Sequence, residues 1–192
     1  SLFCNVLFAE TLISSIGFQT DFEDEEERAQ WILNPTVKGY DCANKWFWGN
    51  LGANGGEQGL FISGDSCLTN RYAPIGTTVL AYRTFTFDKG DYELSFDWQA
   101  GGLSTDGFYV CWIPERDSIE LASVSTSSIL PEWVDRYAID FNSDLLYLSQ
   151  RTWNSILDTI YTNGEAYNLV FVWNNAVLAS YSMGAMIDNL NI

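Results

Sequence analysis

The chain has 192 residues, 47 % hydrophobic and 16 % aromatic, enough material for the core of one β domain. It carries 25 acidic against 9 basic residues, a net charge of −16, which argues against a nucleic-acid partner and against an anionic membrane surface. It has no histidine, which removes Ser-His-Asp and Cys-His nucleophiles and histidine-held zinc or iron.

Residues 2–9 are apolar but too few to cross a bilayer. Residues 1–17 read as an N-terminal arm or extra strand ahead of a single domain over 18–192; the tail of a secretory signal is the other reading. The acidic run 21–27 fits either a short helical turn or a loop after a strand through Phe22. Residues 34–59 hold dense turn signals around the aromatic segment KWFWG at 45–49. Short strands follow at 60–63 and over 77–87, the second β-branched and aromatic, with a tight DKGD turn at 88–91.

Residues 92–99 alternate cleanly, with Tyr92, Leu94, Phe96 and Trp98 on one face and Glu93, Ser95, Asp97 and Gln99 on the other. Residues 108–113 are apolar on both faces and read as a central strand ended by Pro114. Residues 118–150 show no firm period. A strand over 152–160, a TNGE turn at 162–165 and a strand over 169–173 read as a hairpin. The chain ends on the apolar run 185–192, interrupted by Asp188 and Asn189. A terminal apolar strand needs a sheet partner, so it is expected to close a sheet begun near Thr20.

Many short strands, frequent Gly and Asn turns and no long helical period predict an all-β, antiparallel jelly-roll β-sandwich of galactose-binding-like or concanavalin-like architecture. Cys4, Cys42, Cys67 and Cys111 show no CxxC spacing; Cys42 and Cys67 are either bridged or buried thiols.

The order of several segments resembles the MAM-like and cleaved-adhesin-like β-jelly-roll modules of Bacteroidetes secreted and surface proteins. The segments are TDFEDEEERAQW (20–31), NKWFWGN (44–50), GLFISGD (59–65), VLAYRTFTF (79–87), GDYELSFDWQA (90–100), FYVCWIP (108–114), LVFVWNN (169–175) and GAMIDNLNI (184–192). In that resemblance 79–87 and 90–100 look like paired strands and the last two segments like a closing hairpin. It implies a non-catalytic module, secreted or on the cell surface, that binds carbohydrate or mediates adhesion. A structural or protein-interaction domain contacting a host or surface protein is the alternative, and a glycoside hydrolase the third.

A structural Ca²⁺ near the junction of first and last strands is frequent in such modules. Calcium takes six to eight oxygens. Glu23 and Asp188 are expected to converge there, with Asp21, Asp24 or Asp65 near. Asp188 sits in an apolar run and needs a cation, an arginine or backbone amides as partner. For a sugar, exposed aromatics stack on its apolar face and amides take its hydroxyls; in the segment Trp46, Phe47 and Trp48 at least one ring is expected to be exposed, with Asn44, Asn50 and Asn54 as amides close by, and Trp46 and Trp48 with Asn44 and Asn50 are the expected ligand contacts. Glu93 and Asp97 share a face but lie about 13 Å apart along a strand, too far for a hydrolase pair by themselves. No catalytic residue is assigned.

Overall fold

The computed structural model of the protein describes residues 17–35, 42–102, 105–117, 129–139, 150–177 and 182–192. The expected arm over residues 1–17, save Gly17, and most of the patternless 118–150 stretch lie outside these. The strands are β1 (Gln19–Thr20), β2 (Ile32–Leu33), β3 (Lys45–Gly49), β4 (Gly59–Ser63), β5 (Arg71–Tyr72), β6 (Thr77–Thr86), β7 (Gly90–Gly101), β8 (Gly107–Pro114), β9 (Gln150–Thr162), β10 (Ala166–Asn175) and β11 (Ser182–Asn191). Among the described residues two short α-helices accompany them, α1 (Glu25–Arg28) and α2 (Glu132–Tyr137). The acidic run therefore contains a helical turn, started by Asp24, whose Oδ1 accepts the N–H of Glu26 at 2.8 Å.

The strands form two antiparallel sheets, a β-sandwich as the pattern predicts. The larger runs β3-β4-β11-β7-β9, with β1 and β5 also on β11; the smaller runs β2-β6-β10-β8. The expected closure holds: Gln19 pairs with Asn191 and Thr20 with Leu190.

From β6 onward each strand crosses to the other sheet. Three expected pairings are thereby corrected. Residues 79–87 and 90–100 are not partners, since β6 and β7 lie in different sheets. The TNGE turn does not make a hairpin, because β9 pairs with β7 while β10 pairs with β6 and β8. The last two strands are likewise split between the sheets. The physical reason is that both flanking strands bury an apolar face, and an arch across the sandwich lets both point into one core.

The core is aromatic, with Trp31 stacked on Phe171 at 5.5 Å and Phe22, Trp46, Trp98 and Trp173 buried around them. The expected central strand 108–113 is instead the edge strand β8. Its outward residues Cys111 and Ile113 are buried all the same, as are Val170 and Val172 on β10. Part of that cover is the 129–139 segment: Val134 of α2 is buried in the same cluster, and Cys111 forms a bridge with Ala138. On the smaller sheet the outer face is thus buried along β8 and β10, while on the larger sheet Phe61, Met186 and Asp188 are buried on the outer side and exposed outer residues such as Ser155 and Leu157 lie along β9. Cys42 and Cys67 are not bridged to each other; the first is buried and the second exposed. Among the described residues no helix is long and apolar enough to cross a membrane.

Candidate functional site

Alternation on β7 sends Leu94, Phe96 and Trp98 inward and leaves Glu93, Ser95, Asp97 and Gln99 on the outer face. Register places Phe47, Phe61, Met186 and Gln99 in one row across that face. The next row is Gly49, Gly59, Asp188, Asp97 and Ser155. Opposite Gln99, β9 bulges between Gln150 and Asn154, and the half-buried Trp153 lies in the bulge.

The loop 50–58 folds back across the glycine end of the second row. Its backbone lies directly on β4: a Cβ at Gly59 would fall 2.0 Å from the Gly52 oxygen. Asn54 clasps two strands at once. Its backbone N–H donates to Asp188 Oδ2 at 2.6 Å, and its Nδ2 donates to Asp97 Oδ2 at 2.9 Å. Asn189 reinforces the clasp: its N–H donates to Asp188 Oδ1 at 2.8 Å, and its Nδ2 donates to Asp97 Oδ2 at 2.9 Å and to the Asn54 carbonyl at 3.1 Å. The Ser155 hydroxyl donates to Asp97 Oδ1.

Glu23 grips the same loop from outside, its Oε1 accepting the N–H groups of Glu57 and Gln58 at 2.7 and 2.8 Å. This requires glycine at 56, where φ is +71° and a Cβ would lie 2.2 Å from that oxygen. Burial pushes the Asp188 carboxyl up to about 6; the Asn54 and Asn189 amides oppose this, while the charges of Asp21 and Asp97 add to it.

Glu23 and Asp188 are both tied to the 50–58 loop, Glu23 through the Glu57 and Gln58 N–H groups and Asp188 through that of Asn54. Asp188 finds its partners in backbone amides, the third of the partners its position called for. In this arrangement each of the two carboxylates accepts two backbone N–H groups. Among the described residues no three acidic or cysteine side chains gather as a metal site. Asp65 does not join the group. It serves the 63–69 turn beyond β4, where Ser63 Oγ and Thr69 Oγ1 each donate to it at 2.7 Å. Those bonds, with the Thr69 N–H, hold its carboxyl down to about 2.

Two expected ligand contacts are corrected. Trp46 is 1 % exposed and its Nε1 donates to the Val79 carbonyl inside the sandwich, so no ligand can stack on it. Asn44 is buried: its Nδ2 donates to Thr77 Oγ1 and its Oδ1 accepts the Ala73 N–H. Trp48 is half-buried, 5.0 Å from Phe22 and 6.2 Å from Trp31, on the inward side of β3. Asn50 is exposed at the start of the loop. Period-2 alternation in KWFWG turns Phe47, not the tryptophans, to the outer face. Asn189, Ser155 and Trp153 escaped sequence reading. The one signal for Asn189 was the polar break it makes with Asp188.

A hollow of about 250 Å³ opens beside the clasp, lined by Gln19, Thr20, Asp21 and Asn189. Phe22 at φ +60° and Asn189 at φ +52° flank it, both in the left-handed region that side chains rarely adopt. Arg28 Nη1 holds the first of these kinks by donating to the Phe22 and Glu23 carbonyls.

No protein-family model and no curated protein matches the chain. Among solved structures it is similar to the xylan-binding domain of a family 22 carbohydrate-binding module, at 13 % identity and a TM-score of 0.50, with 91 % of each chain covered. A family 35 carbohydrate-binding module from Clostridium thermocellum matches at 16 % identity and a TM-score of 0.30, over 84 % of this chain and 95 % of that one. An isomalto-dextranase from Arthrobacter globiformis T6, complexed with panose, matches at 12 % identity and a TM-score of 0.35, over 84 % of this chain and 22 % of that one. The first likeness is one of fold, a β-sandwich of this build.

Proposed function

We propose that the chain is a non-catalytic carbohydrate-binding module of an extracellular protein, and that its glycan lies on the outer face of the larger sheet. The observation that carries this is the polar strip that β7, β9, β11 and the 50–58 loop form on that face. Asp97, Ser155, Asn54 and Asn189 form one hydrogen-bonded set, with the half-buried rings of Phe47 and Trp153 in the neighbouring row and bulge. Sugars present hydroxyls to such a set and apolar ring faces to such aromatics. The likeness in fold to a xylan-binding domain supports the same reading. So does the MAM-like and cleaved-adhesin-like order of segments, in which the module would be an accessory domain of a surface protein.

A hydrolase reading is disfavoured at the cross-strand carboxylate pair on this face. Asp97 and Asp188 are cross-strand neighbours, but Asp188 is 0 % exposed beneath Asn54. A general acid must reach the glycosidic oxygen.

The test is a glycan array followed by calorimetry on each hit, with Asp97→Ala and Trp153→Ala as variants. Both should weaken a true hit about tenfold or more, the loss of a good hydrogen-bonding or stacking contact. If every glycan fails, the carbohydrate reading falls. The protein-interaction reading then takes its place, with the exposed Leu157 and Tyr161 on the outer side of β9 as the surface to mutate.

A further inference from the structure

We propose that the hollow lined by Gln19, Thr20, Asp21 and Asn189 is a subsite for one uncharged, hydroxyl-rich sugar residue, and that it rejects uronic acids and sulfated sugars. This rests on the carbohydrate reading above and names the ligand class.

The argument is one of donors and acceptors. Asn189 has already committed its Nδ2 to the Asn54 carbonyl and to Asp97, so its amide oxygen is the group it can offer. Asp21 is acceptor-only when ionised, and one of its oxygens takes the Glu23 N–H at 3.2 Å. Thr20 Oγ1 already accepts the Phe22 N–H at 2.9 Å, which leaves its hydroxyl proton to give. Gln19 is the one side chain of the four with a complete amide, on an exposed residue. Acceptors therefore outnumber donors around the hollow. A hydroxyl brings the donor such a lining lacks, whereas a carboxylate or sulfate brings only further acceptors.

Electrostatics points the same way. Asp97, Asp188 and Asp21 lie on this side of the sheet, and the charges of Asp21 and Asp97 are felt at Asp188. An anionic sugar would meet that field at close range, where salt screens it least. The volume of about 250 Å³ is below that of a drug-sized pocket and suits a single ring. The left-handed residues Phe22 and Asn189 hold the two walls in place, and strained backbone of this sort concentrates at ligand-holding positions.

The experiment maps amide shifts by NMR on the labelled chain at pH 7 and low salt. The probes are xylotriose, cellotriose, mannotriose and galactotriose against trigalacturonate. A neutral trisaccharide is expected to move the Thr20, Asp21 and Asn189 amides, with trigalacturonate at least tenfold weaker. Asn189→Gly keeps the left-handed backbone and Asp21→Ala removes an acceptor; each should weaken the neutral ligand about tenfold, since each deletes a direct contact. Asp21→Asn keeps an acceptor for the Glu23 N–H and should raise trigalacturonate binding about threefold. Equal binding of neutral and anionic probes overturns the proposal, as does a response confined to Gln99 and Trp153, which leaves the carbohydrate reading standing. A chain whose amides respond to none of the probes defeats both.

Discussion

Asp188 of β11 stands directly opposite Asp97 of β7, both on the outer face, and a single residue, Asn54, bonds to both. Like charges directly across a sheet destabilise it unless donors intervene. Here the donors are amides of Asn54 and Asn189. Asp188→Ala should cost about 1–3 kcal/mol in denaturant unfolding, because the Asn54 N–H loses its acceptor beneath the loop. Asn54→Ala keeps that N–H and should cost only about 1 kcal/mol. An Asp188→Ala variant as stable as the parent would mean that relief of repulsion cancels the lost bond.

The same pair sets a pH dependence. The folded chain holds the Asp188 proton to about pH 6, whereas an ordinary aspartate releases it near 3.8. The folded state therefore binds that proton more tightly, and this contribution to stability is complete below pH 3.8 and is lost as pH rises through 6. Asp65 acts with the opposite sign. Its carboxyl is held at about 2, so its contribution is present above 3.8 and is lost as pH falls through 2. Urea midpoints between pH 4 and 7 should fall with rising pH in the parent, and this component should vanish in Asp188→Asn. A profile unchanged by Asp188→Asn would show that the loop does not keep its carboxylate dry.

How much of this was legible follows from what each element needed. The alternation in YELSFDWQ fixes which side of β7 faces in, because apolar and polar residues separate without exception. The pairing of β1 with β11 follows from an apolar run whose backbone groups need partners once its side chains are buried. The sheet-crossing arches were hidden because DKGD and TNGE serve an arch as well as a hairpin. The clasp was hidden because Asn54 and Asp188 are joined only through the fold, by a loop that the backbone geometry of its glycines lays over β4. In KWFWG the alternation could be read, but nothing in five residues says which face turns inward.

That last ambiguity gives a stability test. Trp46 fills the core beside Phe108, at 6.3 Å between ring centroids, and Trp46→Ala should cost about 3–5 kcal/mol. Trp153→Ala, at a half-buried bulge position, should cost about 1 kcal/mol or less. Thermal or urea unfolding of the two variants separates them. A mild Trp46→Ala would place that ring outside the core and reopen it as a ligand contact.

Calcium provides the last test. The carboxylates expected to bind it, Glu23 and Asp188, each accept two N–H groups, and between them they secure Asn54, Glu57 and Gln58 of one loop. A calcium ion at this place would compete with amide donors for the same carboxylate oxygens, and would need at least two further oxygens even with both carboxylates bidentate. With amides as the partners, the melting temperature should agree within about 1 °C between excess calcium and EDTA, since a ligand stabilises only the state that binds it. The Gly56→Ala variant gives the complementary reading. Its Cβ would collide with Glu23 Oε1 and should detach the 57–58 amides, lowering the melting temperature in either buffer. A rise of several degrees with calcium in the parent would show that the loop opens to let a cation replace the amides, and would return Glu23, Asp21 and Asp188 to the role of ligands.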